Sequence, residues 1–178
     1  MNAVVSLLDE KYYAEVEALW AELEAKLGRR GIYITPYPHF TYHVAREYDV
    51  PALESYLQQL AQSKTGFSVR TTGLGIFTGK QPVLYIPVVR DPQLTQLHEE
   101  IWPEISKFAG GSEEYYRPEI WLPHISLGFG DLDQASLAEA VRLLGERSFD
   151  WQIEIDNLAL IYDTGEKQEL RSRFKLQG

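Results

Sequence analysis

Tyr12, Val16, Leu19, Leu23 and Leu27 recur at three- and four-residue spacing, which predicts a helix over 11–27 with one buried face. Asp9 stands ready as its cap and Gly28 as its stop. A second stripe, Leu94, Leu97, Ile101, Ile105 and Phe108, predicts a helix that opens at Asp91-Pro92, kinks at Pro103 and ends at Gly110-Gly111. β-rich runs precede both helices, Ala3–Leu8 and Val83–Val89. A strand follows each, Pro38–Arg46 and Trp121–Phe129. Next come two shorter helices, Leu53, Leu57 and Leu60 behind Asp49-Val50-Pro51, and Leu137, Val141 and Leu144 behind Asp133. Each half closes with a hairpin: Phe67–Phe77 returning through Val83–Val89, and Phe149–Tyr162 returning through Leu170–Leu176, with turns at Thr78-Gly79-Lys80 and Thr164-Gly165.

This order occurs twice with a period near 85: His39 aligns with His124, and Leu74 with Leu158 at a separation of 84. A unit so long, present twice, is no solenoid. The expectation is an α+β, duplicated bilobal fold, two antiparallel sheets facing a central cleft with helices on the outer faces. No linker divides the chain, so residues 1–178 read as one domain of two pseudo-symmetric lobes, with repeat halves at about 11–89 and 92–176. Walker and dinucleotide glycine loops are absent.

Composition narrows the chemistry. The chain has no cysteine, which excludes disulfides, thiolate nucleophiles and cysteine-based metal centres. Seventeen basic against 26 acidic residues give a net charge of −9, which repels duplex nucleic acid and withholds the counterion-release gain. No run approaches the ~18 apolar residues of a membrane span. The first residues lack a basic leader and a cleavage pattern, so a soluble, cytoplasmic protein is expected. Any nucleic-acid substrate must therefore be small or be gripped by a local basic cleft, with no duplex DNA and no membrane among the expected partners.

Equivalent strands of the two halves carry His39-Phe40-Thr41 and His124-Ile125-Ser126. Strand alternation puts each His and its hydroxyl partner on one face, with Phe40 and Ile125 on the other. A two-fold arrangement then brings together two imidazoles, one able to be neutral and one protonated, and two hydroxyls that donate to an oxyanion. Either motif alone is weak, because an interior histidine on a half-buried strand is the ordinary case. Two Pro-His-x-(Thr/Ser) segments at matched places in a repeat are specific, and they suit acid/base phosphoryl transfer.

At these residues the sequence resembles the 2H phosphoesterases, which include the 2′-5′ RNA ligase-like and cyclic phosphodiesterase proteins. The resemblance spans essentially the whole chain. The segment Tyr115-Tyr116-Arg117-Pro118-Glu119-Ile120-Trp121-Leu122-Pro123-His124-Ile125-Ser126-Leu127 is similar to the second motif of the 2′-5′ RNA ligase-like group. In the first motif Tyr42 stands where members often have Leu. The resemblance implies a metal-independent hydrolysis of 2′,3′-cyclic phosphates or 2′-5′ phosphodiesters, without cofactor, with possible reverse ligation; His39, Thr41, His124 and Ser126 inherit the catalytic positions.

His43 follows His39 by four residues and should share its face, as a substrate contact, as a third ligand of a His39, His43, His124 metal site, or as a plain imidazole at the cleft rim. His98, in Leu97-His98-Glu99-Glu100, is expected at the surface. Tyr37, Tyr115, Tyr116 and Trp121 are candidate base-stacking rings, with the core as their alternative place, and Arg117 is the best candidate cation ahead of Lys80 and Arg46. The reading from another class is a non-catalytic RNA- or nucleotide-binding module of the same fold. Retention of both hydroxyl partners argues against it.

Overall fold

Four aspartates set the helical frame. Asp9 accepts the Tyr12 N–H at 3.0 Å and opens α1 (Glu10–Leu27), which ends on Gly28 in the left-handed region, φ 66°. Asp49 opens α2 (Val50–Ser63) and Asp91 opens α3 (Pro92–Ser106), each with a proline in the first turn where its missing N–H costs nothing. Asp133 and Ser136 form a reciprocal capping box at the start of α4 (Gln134–Leu144). The computed structural model describes residues 1–178.

Ten strands complete the α+β fold: β1 (Asn2–Leu7), β2 (His39–Tyr48), β3 (Phe67–Arg70), β4 (Gly75–Phe77), β5 (Val83–Pro87), β6 (Ala109–Ser112), β7 (His124–Gly128), β8 (Gln152–Ile155), β9 (Asn157–Asp163) and β10 (Gln168–Lys175). They pair antiparallel in the orders β10-β9-β1-β2-β6, β4-β5-β7 and β3-β8. A bridge between Thr71 and Val88 ties β3 to the end of β5. The predicted hairpin arm 67–77 is therefore broken, and Gly73 at φ 52° makes the break. Its counterpart 149–162 is likewise split into β8 and β9. The second long helix stops at Ser106, earlier than its apolar stripe, because Ala109–Ser112 leaves the helix to pair with β2.

The lobes do not coincide with the two repeats. The triad β9-β1-β2 has the same pairing order as β4-β5-β7, and each contains strands from both halves of the chain. Helices cross over too. α1 lies on β7 and beside α4, whereas α3 lies on β2 and α2 on β9 and β10. A 33-residue apolar core joins all of this, including Val4, Phe40, Leu57, Leu84, Ile101, Ile125 and Leu160. On the other face of the five-stranded sheet, Ala3, Val5, Leu7, Ala159 and Ile161 form a smaller apolar floor. None of the helices is long and apolar enough to cross a membrane.

Candidate active site

Both motif histidines begin a strand and both follow a proline. The proline holds the preceding residue extended, which aims that residue's carbonyl back at the imidazole. His39 Nδ1 thus bonds the Tyr37 carbonyl, and His124 Nδ1 bonds the Leu122 carbonyl at 2.7 Å. A neutral ring must donate from Nδ1 to make such a bond, which leaves Nε2 as the nitrogen available to a ligand. Two residues on, Thr41 and Ser126 line the same cleft as the two rings. The cleft has a volume of about 780 Å³, within the usual range for small-molecule sites.

The strand segments carrying the hydroxyls are sheet edges. β7 ends its sheet, and β6 covers β2 only from Ala45 onward. Two tryptophans satisfy the carbonyls this exposes: Trp121 Nε1 donates to Thr41 O at 2.8 Å, and Trp20 Nε1 donates to Ser126 O at 3.0 Å. Each indole is buried, so each fixes a hydroxyl-bearing residue against the core. Trp20 was not legible as a site residue, since an aromatic beside Leu19 in an amphipathic helix reads simply as core.

Burial dominates the electrostatics. His39 is pushed down to about 4 from the usual 6.5, first by desolvation and further by the charge of His124, with the Tyr37 carbonyl opposing. His124 is lowered by desolvation, with the Leu122 carbonyl opposing. The rings that dry it are Phe77, edge-on at 4.9 Å, and Tyr85 at 5.0 Å. Both imidazoles are therefore neutral at pH 7 in the free protein. Each Nε2 is a base until an anion enters.

Tyr37, Tyr115, Tyr116 and Trp121 line the cleft. Tyr115 is the exposed ring, at 77%, and Trp121 is a floor residue at 1% with no free face to offer a base. Arg117 does not line the cleft. Its guanidinium pairs with Glu114 at 3.1 Å, one turn back in the short 3₁₀ segment. Lys80 and Arg46 lie outside the cleft as well, while Thr78 of the same turn as Lys80 is in it.

His43 lies on the opposite face from His39. The β1–β2 register pairs Val4 with His43 and Val5 with Thr41, so Tyr42 is an extra residue in β2 and the alternation reverses after it. Val44 takes the cleft side instead. His43 is fully buried, bonded to Tyr48 Oη at 2.6 Å and Ser106 Oγ at 3.1 Å, and is neither a substrate contact nor a partner of His39 and His124. No cluster of three or more His, Asp or Glu is arranged to hold a metal. His98 also departs from expectation: it is buried, donates Nε2–H to Tyr42 O at 2.9 Å and stacks on Trp121 at 3.7 Å. It lies on the face of α3 that the apolar stripe defines, and that outweighs its acidic neighbours in sequence.

A model of the 2′-5′ RNA ligase superfamily matches residues 10–167. Proteins provisionally named phosphoesterases from Bacillus cereus (strain G9842) and Bacillus thuringiensis (strain Al Hakam) are 30% and 31% identical over 128 residues, 70% of this chain and 70% of each relative. Two solved structures share the fold at 17% identity, covering 99% of this chain and 98% of theirs. They are TT0787 of Thermus thermophilus, with a TM-score of 0.67, and Escherichia coli LigT complexed with 3′-AMP, with a TM-score of 0.57.

Proposed function

Because the chain belongs to the 2′-5′ RNA ligase superfamily, the 2H phosphoesterases, we propose that it is a metal-independent phosphodiesterase acting on 2′,3′-cyclic phosphate or 2′-5′ diester bonds of RNA ends or small nucleotides. One observation carries this reading: two imidazoles with the same Nδ1 tether and two hydroxyls line one cleft. The nucleotide bound to the LigT structure supports a nucleotide-sized occupant here.

In the proposed reaction, the phosphate anion enters between two neutral rings and its charge raises one of them to imidazolium. The other ring's Nε2 takes a proton from water as the water oxygen bonds to phosphorus. The phosphorus–O3′ bond breaks, and the imidazolium gives its proton to the departing ribose oxygen, leaving a 2′-phosphate. Thr41 and Ser126 hydroxyls hold the non-bridging oxygens as their charge grows. Ligation is the same displacement with a 5′-hydroxyl in place of water: its oxygen bonds to phosphorus, the phosphorus–O3′ bond breaks, and a 2′-5′ diester results. Water's abundance favours hydrolysis.

The test is hydrolysis of 2′,3′-cyclic nucleotides, with and without EDTA. Thr41→Val and Ser126→Ala should each lower kcat by ~10- to 10³-fold with a smaller change in KM, the pattern for a lost oxyanion donor. His39→Ala and His124→Ala should each cost at least ~10²-fold. Chelator should change nothing. Near-wild-type turnover in His124→Ala, or activity that EDTA abolishes and zinc restores, would sink the proposal; affinity without turnover would favour the binding-module reading.

A further inference from the structure

A cleft built for phosphate normally advertises cations, and this one does not. Not one of its 23 lining residues is Lys or Arg. Met1 lines the cleft, and its α-amino group pairs with Asp163 at 2.6 Å. Of the basic side chains near the lining segments in sequence, Arg117 pairs with Glu114, Arg30 with Glu24 and Lys167 with Glu169, while Arg46 and Lys80 stand outside the lining. The protein as a whole carries −9. What the cleft presents instead is apolar surface. Seven of the nine large apolar side chains that the protein leaves exposed belong to this one wall, among them Ile34, Phe77, Tyr115, Ile120 and Phe129. Such a concentration marks a ligand-binding surface.

Resting on the reading above, we propose that the cleft selects one singly charged diester flanked by uncharged rings, a nucleoside 2′,3′-cyclic monophosphate being the simplest case, and rejects RNA ends that carry further phosphates. The two histidines and two hydroxyls can hold a single phosphate. Every additional phosphate of an RNA chain would then lie against apolar side chains or the negative field of the protein, without a cation to meet it. The base and sugar, in contrast, gain from the exposed rings and aliphatic groups.

The experiment compares kcat/KM for 2′,3′-cyclic AMP with that for oligoadenylates of two and four nucleotides ending in the same cyclic phosphate, across a range of NaCl concentrations. The monomer should be preferred over the tetramer by at least ~10-fold, and its kcat/KM should hardly change with salt, since no phosphate displaces counterions from a basic surface. Ile120→Lys should raise turnover of the tetramer and make it salt-dependent. Equal or faster turnover of the tetramer by the unaltered protein, falling as salt rises, overturns the proposal. Binding of the same compounds to His124→Ala separates this idea from the reaction itself: absence of turnover with every compound refutes the diesterase reading, while tighter binding of the monomer than of the tetramer still upholds the charge selection. Tighter binding of the tetramer, or no binding of the monomer, refutes the selection.

Discussion

Each catalytic-candidate imidazole is fixed by a carbonyl two residues before it, and that tether decides which nitrogen faces the ligand. The pH dependence follows from the burial that accompanies it. With His39 near 4 and His124 below 6.5, the ring that must act as acid is protonated in the free protein only on the acid side of 6.5, whichever of the two it is. The ring that acts as base must be neutral, which fails at still lower pH. The profile of kcat/KM should thus be a bell with its maximum below pH 6.5, both limbs belonging to the pair. In the complex, bound phosphate favours imidazolium, so the alkaline limb of kcat should lie at higher pH than that of kcat/KM. Rate measurements on both parameters from acid to alkaline pH test this directly, and a kcat/KM maximum near pH 8 would contradict it.

At the scale of elements, the bulge in β2 separates what the sequence made legible from what it hid. His39 and Thr41 stand before Tyr42, so strict alternation assigns their face correctly; His43 stands after it, and the same rule fails. Nothing in the local sequence marks the extra residue, because a bulge is set by how β1 pairs across it. The helix caps, by contrast, depend only on neighbours in sequence, and Asp9, Asp49, Asp91 and Asp133 all cap as their positions suggest. Trp20 and Trp121 could not be paired with Ser126 and Thr41 in advance, since those contacts join residues 106 and 80 positions apart. Reversing His43 to the far face puts it with His98 in the contact between β2 and α3, and both are held near 4, chiefly by burial. Above pH 6.5 both are neutral whether folded or unfolded and add no pH dependence. Between 6.5 and about 4 the unfolded chain binds protons that the native chain refuses, so stability falls as pH falls. Urea midpoints should decline through that window, and less steeply in a His43→Gln, His98→Gln double variant. His43→Gln alone should keep kcat/KM within about twofold, since it removes no group that meets the substrate. An unchanged acid slope in the double variant, or a large loss of kcat/KM in His43→Gln, would show these roles to be misassigned.

The whole molecule is a duplicated chain whose halves are woven through one another, and this places both motifs on one cleft. β2 of the first repeat shares a sheet with β9 and β10 of the second through β1, which precedes both repeats, and β4 and β5 need β7. α1 covers β7 across the repeat boundary and α3 covers β2. The geometry that brings His39 toward His124 is therefore the same geometry that denies either repeat a core of its own: a fragment of residues 11–89 would retain β4 and β5 but lose β7 beneath α1, and it would expose β2 without β1 or α3. Unpaired strand edges and uncovered apolar faces of that kind favour disorder or aggregation. The intact chain should accordingly unfold in urea as one transition, with far-UV circular dichroism and tryptophan fluorescence superimposing, because both lobes share the core that contains Trp20 and Trp121. Fragments 11–89 and 92–176, expressed separately, should give poorly dispersed amide NMR spectra. A well-dispersed spectrum from either fragment, or two resolved unfolding transitions in the full chain, would mean that the repeats are independent lobes after all, and that the cleft is formed by docking two folded units rather than by a single interleaved fold.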